Sequence, residues 1–343
     1  MENKLGVAIW GAGWVTTGHL PAWLHNRNCS VVAMGSRREE QVKQRLEEAG
    51  VLGKVAVYTS LDKILQREDV QVVDICLPSY LQAETAIRAA EAGKHVLIEK
   101  PVAKTLNELE KLRDTIRKTG VKSMAGFVLR WNPIVNITKR LIEQGWFGKI
   151  IYARLGYLHE LGDWFTGWHW ARTISQGGTV TILGGCHAVD TTRYLIDHEA
   201  TEVVAFSTRG HRTDFEYEPT IAGLVRFENG AIAHIAASQE LHMPYQFPIE
   251  LMGSLGAIRD ERLWSEKLKG QTDWVRIPTI MPDSGDVAHH PFQPEIDHFI
   301  DCILNDEESH ASVEDTVKTH EIVFALDESA AKGGKVIKLP LLT

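Results

Sequence analysis

LGVAIWGAGWVTTGH, residues 5–19, is an apolar run that breaks at two glycines and restarts as a helix. Leu5 to Ile9 have the unbroken hydrophobicity of a strand buried on both faces, as in a parallel sheet. Gly11 and Gly13 then supply a tight turn whose backbone amides, with the helix N-terminus, approach a pyrophosphate. The third glycine of the usual fingerprint is replaced by Thr16, with Gly18 following. Such a triplet is weak alone. Directly after a first strand it carries more weight.

Strands and helices continue to alternate downstream. SVVAMG (30–35) is a second apolar run, and EEQVKQRLEEAG (39–50) has helical period and a terminal glycine. Ser60 is the expected N-cap of a helix near 60–67. QVVDICL (71–77) is a strand stopped by Pro78, and LQAETAIRAAEAGK (81–94) is a helix. HVLIEK (95–100) is the next strand and residues 105–119 the next helix, before VKSMAGF. This alternation predicts βαβ units and a doubly wound parallel sheet over residues 1–125.

Beyond residue 126 the period changes. Longer strands are expected at 150–158, 201–209, 219–227, 230–238 and 246–258, with a hairpin turn at Glu228-Asn229-Gly230. Helices are expected at about 179–196, 293–305 and 313–333. The chain therefore reads as α/β in its first part. Residues 126–343 form a second, α+β domain with a mainly antiparallel open sheet.

Bulk properties narrow the function. The 343 residues are 44% hydrophobic and 24% charged, with a formal charge of −8. The pI near 6.0 argues against nucleic acid or an anionic membrane as partner. Four scattered cysteines have neither metal spacing nor the density of a disulfide scaffold. No cleavable leader or apolar span of membrane length stands out, so a cytoplasmic protein is expected.

At the end of the second strand, where NAD enzymes carry a ribose-binding acid, stand Ser36, Arg37 and Arg38. A hydroxyl and two guanidiniums suit a 2′-phosphate, which favours NADP over NAD. A charged helix start at the surface is the plainer alternative. In HVLIEKPVA a charged pair, Glu99 and Lys100, interrupts a buried strand at its carboxyl end. That is where ligands bind in open α/β sheets.

Three pieces together resemble the Gfo/Idh/MocA oxidoreductases. They are GAGWVTTGH, Glu99-Lys100-Pro101 at the end of its strand, and GGTVTILGGCHAVDTTRYL (177–195) bearing His187. The resemblance runs on into EDTVKTHEIVFALDESAAKGGKVIKL (314–339). It implies a Rossmann domain followed by an open-sheet domain that forms homodimers or homotetramers. The implied activity is hydride transfer between nicotinamide and a sugar or polyol carbinol carbon.

By the same resemblance, Lys100 hydrogen-bonds the reacting oxygen, and His187 is the acid/base; helical spacing sets Asp190 on the neighbouring turn of the same face, where it orients the imidazole or joins a wider network. Gly11, Gly13, Trp14, Val15, Ser36, Arg37, Arg38, Leu77, Pro78, Glu99 and Lys100 follow the cofactor. Arg130 and Trp131, in GFVLRWNP (126–133), face the cleft, where Arg130 either binds substrate hydroxyls or a carboxylate or pairs with an acid. Trp168, in the tryptophan-rich HELGDWFTGWHWARTISQGG (159–178), either stacks on a sugar or fills an interface. Leu183 stands where many members carry an aspartate, and Gln82 where a histidine is common. These departures leave the substrate class open.

Histidines 159, 169, 289 and 290 lack the i, i+4 pairing with a carboxylate that a zinc site needs, so no metal is expected. Two other functions share the scaffold: a glycosidase that oxidises its sugar transiently and eliminates the aglycone, and a sugar or cofactor sensor. A sensor needs neither Lys100 nor His187. A glycosidase needs an additional base, sought in residues 157–169.

Overall fold

A computed structural model describes residues 4–283 and 290–342, so His289 lies outside the described residues. The chain divides into two compact units. Unit 1 comprises residues 1–128 and 291–317, and unit 2 comprises residues 129–290 and 318–343. A single cut near residue 126 therefore does not separate the returning segment.

Unit 1 runs β1 (Leu5–Trp10), α1 (Thr16–His25), β2 (Cys29–Gly35), α2 (Glu39–Glu48), β3 (Ala56–Tyr58), α3 (Leu61–Leu65), β4 (Val72–Ile75), α4 (Ser79–Glu91), β5 (His95–Glu99), α5 (Leu106–Thr119) and β6 (Ser123–Gly126). All its strand pairs are parallel, in the order β3-β2-β1-β4-β5-β6. That is the doubly wound Rossmann order, and the direction of winding reverses between β1 and β4. The two strands that open the chemistry, β1 and β5, are buried almost throughout, as their apolar runs require. α5 begins with a capping box in which Thr105 and Glu108 satisfy each other's main-chain amides.

In unit 2 follow α6 (Pro133–Glu143), β7 (Ile150–Leu158), α7 (Trp168–Ala171), a π-helical turn at Thr181–Gly185, α8 (Cys186–Ile196), β8 (Ala200–Thr208), β9 (Thr220–Phe227), β10 (Ile232–Ser238), β11 (Ile249–Gly253), β12 (Gly256–Arg259), β13 (Arg262–Ser265) and β14 (Val275–Arg276). α9 (Phe292–Leu304) belongs to unit 1, where it packs on α1. α10 (Val313–Ala331) is shared in sequence between the units, and β15 (Ile337–Lys338) ends the described chain's regular structure.

The second sheet has nine strands in the order β14-β13-β12-β11-β7-β10-β9-β8-β15. It is antiparallel except for the parallel pair β7 and β10. The strand expected over 246–258 is two strands instead. Ser254 and Leu255 turn back to Lys149 and Phe147, which closes β11 and β12 into a hairpin. The Asn229-Gly230 turn forms as expected, with Gly230 at φ 86°.

β9 alternates strictly. Ile221, Gly223, Val225 and Phe227 point inward, while Ala222, Leu224 and Arg226 point outward. Ser329 of α10 donates to no strand but accepts the amide of Ala205 in β8, which ties that helix to the inner face. Among the described residues no helix is long and apolar enough to cross a membrane.

Candidate active site

The glycine turn lies at the winding reversal. Gly11 has φ +132°, and a Cβ there would stand 2.0 Å from the Cys76 carbonyl, so only glycine fits. Thr16, in place of the third glycine, is fully buried and its hydroxyl reaches the Gly11 carbonyl at 3.4 Å. It closes the turn from within. Val15 precedes α1 without any side chain capping the helix. Gly13 and Trp14 are exposed, and a Cβ on Gly13 would meet nothing within 4 Å. A bare helix start behind an open glycine turn fits a pyrophosphate.

At the end of β2 no acid is present. Ser36 is occupied locally: its Oγ both accepts the Arg38 amide and donates to the Arg38 carbonyl, each at 3.0 Å. Arg37 and Arg38 are exposed beside it. Leu77 and Pro78 follow β4, half-buried, and the preceding Cys76 amide is bound by Trp10 of β1.

At the end of β5, Glu99 is buried and Lys100 half-buried. The Lys100 amide donates to Glu99 Oε2 at 3.2 Å, while Gln82 Nε2 of α4 donates to the Lys100 carbonyl at 3.4 Å. The main chain of this lysine is thus held on both sides. Glu99 Oε1 in turn accepts from His19 Nε2 at 3.0 Å.

In unit 2, His187 sits on the first turn of α8, 7% exposed. The glycines before it have a packing cause. A Cβ on Gly184 would come within 2.4 Å of the Tyr157 ring on β7, and one on Gly185 within 2.8 Å of Ala237 on β10. The close approach brings the Tyr157 ring parallel to the His187 imidazole, 6.1 Å between centroids at 19°. His159 and Tyr245 stand edge-on to Tyr157 at 5.0 and 5.3 Å. Burial, with Tyr157 adding to it, holds the Tyr245 phenol well above its ordinary pKa.

Arg130 and Asp190 are joined to each other. They form a two-pronged buried pair, Nε to Oδ2 at 2.8 Å and Nη2 to Oδ1 at 2.6 Å, and Arg130 is 2% exposed. Thr319 adds a hydrogen bond to Asp190 at 3.0 Å, and the Tyr194 ring lies 5.1 Å from the guanidinium. The pair satisfies the aspartate whose fate the sequence left open. Trp131 is half-buried beside it. Trp168 is half-buried with its edge against Phe215 at 4.9 Å and the Arg212 guanidinium 5.2 Å from its ring.

The chain matches a family model described as an oxidoreductase family with an NAD-binding Rossmann fold over residues 5–127, and the GFO/IDH/MocA C-terminal domain over 135–259. The chain belongs to the Gfo/Idh/MocA oxidoreductase family. It is 26% identical to the scyllo-inositol 2-dehydrogenase (NAD(+)) of Bacillus subtilis, over 89% of this chain and 88% of that protein. It is 29% identical to the levoglucosan dehydrogenase of Pseudarthrobacter phenanthrenivorans, over 57% of this chain. That match spans only 56% of the relative's own length. A solved levoglucosan dehydrogenase, in complex with NADH and levoglucosan, has the same fold, with a TM-score of 0.87 at 24% identity, covering 98% of this chain and all of that one.

Within this Gfo/Idh/MocA chain, sequence reading passed over His19, Asp74, Glu295 and Tyr245, and met Tyr157 and His159 only in the 157–169 stretch and in the rejected metal reading. A signal existed for Asp74, an acid inside the otherwise apolar strand VVDI and fully buried. Among the described residues, His19, Asp74 and Cys76 form the one trio with metal-ligand atoms close together. His19 Nδ1 and Asp74 Oδ2 are already 2.9 Å apart in a hydrogen bond, and burial pushes the Cys76 thiol up to about 12. The trio is a hydrogen-bonded network.

Proposed function

We propose that this protein is a nicotinamide-dependent dehydrogenase or reductase acting on a carbinol carbon of a sugar, polyol or sugar derivative. The observation that carries the reading is the lysine at the carboxyl end of β5, its main chain gripped by Glu99 and Gln82, in a Rossmann unit with an open glycine turn.

The nicotinamide, when bound, takes or returns the hydride. Gly11, Gly13, Trp14 and Val15 line its pyrophosphate path, with Leu77, Pro78 and Glu99 further along. Arg37 and Arg38, beside Ser36 and with no acid at the end of β2, favour the 2′-phosphate of NADP. The Lys100 ammonium donates to the reacting oxygen and stabilises the negative charge that develops as the hydroxyl proton leaves. His187 accepts that proton in oxidation and returns it in reduction, a role suited to an imidazole at neutral pH. Trp131 and Trp168 offer apolar faces to a sugar ring. Arg130 and Asp190 serve the substrate indirectly, by fixing the start of α6 to the helix of His187.

The protein acts in the cytoplasm on this reading, consistent with four buried, free cysteines. It also works as a homo-oligomer. Registration of the strands puts Phe206, Leu224, Ile232, Tyr152, Met252 and Trp264 on one outward face of the second sheet. Five of these are at least 37% exposed, the mark of a surface that a second copy covers. Sedimentation of the full chain as a monomer would remove this part of the reading.

Nicotinamide reduction across a panel of sugars, inositols and glycosides, with NADP and NAD in parallel, tests the chemistry. Turnover should appear with at least one polyhydroxy substrate and run faster with NADP. Lys100→Met should lose about 10²–10³-fold in kcat while still binding cofactor. Undiminished turnover in that variant would defeat the proposed role of Lys100. Release of free aglycone without net reduction would move the activity to the transient-oxidation glycosidase.

A further inference from the structure

Unit 1 buries an ionic cluster directly behind the Glu99-Lys100-Pro101 turn. His19 projects from α1 and is wholly buried. Its Nδ1 donates to Asp74 Oδ2 of β4 at 2.9 Å, and its Nε2 to Glu99 Oε1 of β5 at 3.0 Å. Trp23, one turn further along α1, donates from Nε1 to the same Asp74 oxygen at 2.7 Å. Cys76 Sγ lies 3.5 Å from Asp74 Oδ1 and 3.6 Å from His19 Nδ1. From α9, Phe292 tilts against the imidazole at 4.5 Å, and Glu295 is fully buried with no hydrogen-bond partner for either carboxyl oxygen.

Two carboxyl groups facing the two ring nitrogens leave a neutral imidazole with one nitrogen mismatched, since a neutral ring has only one N–H to give. A doubly protonated ring satisfies both. Burial alone lowers the His19 pKa, but the Asp74 charge and the hydrogen bond to Asp74 overcome it and hold the ring well above its ordinary value. Glu295 cannot add a third anion cheaply. Burial, together with the charges of Glu99 and Asp74, raises its carboxyl well above the usual range against the pull of His19.

We propose that His19 is a positioning residue for the reaction: as a double donor clamped between Asp74 and Glu99, it fixes the Glu99 side chain and, through the Glu99–Lys100 amide contact, the turn that presents the Lys100 ammonium. This rests on the reading that Lys100 meets the reacting oxygen. The path behind the turn has two fixed links, β4 to α1 and α1 to β5, and both are buried from competing water. Small displacements of such a turn matter, because misplacing a reacting group by about 1 Å costs on the order of 10² in rate.

The test uses the full chain with cofactor and its best substrate, comparing wild type with His19→Gln and Glu99→Gln. The second variant preserves the hydrogen-bond chain around a neutral histidine: the amide oxygen still accepts from Lys100 and the amide N–H donates to Nε2. Nitrogen-15 shifts of His19 in the wild-type protein should report a doubly protonated ring at pH 7. kcat should fall on the order of 10²-fold in His19→Gln, with KM and cofactor affinity little changed. In the wild type, kcat should drop on the alkaline side as His19 loses its second proton, and both variants should lack that limb.

A singly protonated ring at pH 7 overturns the proposal without reference to activity. So does His19→Gln retaining the wild-type alkaline limb, which would reduce His19 to a structural part. If His19→Gln fails to fold, Glu99→Gln and the nitrogen shifts still decide. Should Lys100→Met keep its turnover, the kinetic link fails with the Lys100 reading, and the shifts alone judge the clamp.

Discussion

Each unit buries an ionic network, and the two are built on opposite principles. In unit 2, Arg130 meets Asp190 through two hydrogen bonds, one positive charge to one negative, with Thr319 filling a remaining acceptor site. In unit 1, a single imidazole faces Asp74 and Glu99, with Glu295 and the Cys76 thiol also buried around it. A balanced pair of strong ions has nothing to gain from moving a proton. A cluster with surplus acid must hold protons to stay buried, and so answers to pH. The unit that presents Lys100 is the one with the surplus.

The sharpest way to break this contrast is to unbalance the balanced pair. Arg130→Met keeps much of the apolar stem but leaves Asp190 buried with the Thr319 hydroxyl in place of a guanidinium. The expected loss of stability is about 3–5 kcal/mol, because an uncompensated buried charge is left behind. Urea denaturation at fixed pH measures it through the shift in midpoint. A loss comparable to that of an exposed ion pair, below about 1 kcal/mol, would show that the pair adds little and that charge balance is not what distinguishes the units.

The difference also explains what could be read in advance. Unit 1 was legible because its signals are local: an apolar run, a glycine turn, a proline that ends a strand. Glu99 and Lys100 stood out for the same reason, as charges where a buried strand ends. The partner of Glu99 was not legible, since His19 is 80 residues away in sequence, and neither was Asp74, which meets Glu99 only through His19. Parallel sheets bring such residues together only after crossover connections.

Unit 2 yielded its main strands but not their interruptions: one strand was expected across Gly253-Ser254-Leu255-Gly256, although its two glycines flank the hairpin that main-chain bonds to Lys149 and Phe147 close. α6 and the short strands β13 to β15 were missed as well. Only the structure identifies Tyr157 and Ala237 as what lies against Gly184 and Gly185. Asp190 was read with His187 from helical spacing. A three-residue offset fixes which turn a side chain occupies, and the guanidinium of Arg130 then decides where it points.

Asp327 offers a smaller and more discriminating test, because it places an unbalanced acid inside the unit that holds the balanced pair. It is half-buried on α10 and accepts hydrogen bonds from Thr179 Oγ1 at 2.6 Å and Thr181 Oγ1 at 2.7 Å, at the start of the helical segment that carries His187. Burial raises its carboxyl from 3.8 to about 6, and the two hydroxyls offset this only in part. The folded protein therefore binds this proton more tightly than the unfolded chain does. The stability that the group contributes is full below about pH 4 and is lost as pH rises through about 6, to a total on the order of 3 kcal/mol. Asp327→Asn cannot ionise, and its amide can still serve both threonines. The variant should match the wild type near pH 4 and exceed it in stability at pH 7 to 8, by no more than that amount, in urea midpoints taken across the range. If instead the wild type holds its stability through pH 6 and the variant is weaker at every pH, the two hydroxyls suffice for the carboxylate, and surplus charge is not what makes a buried acid in this protein answer to pH.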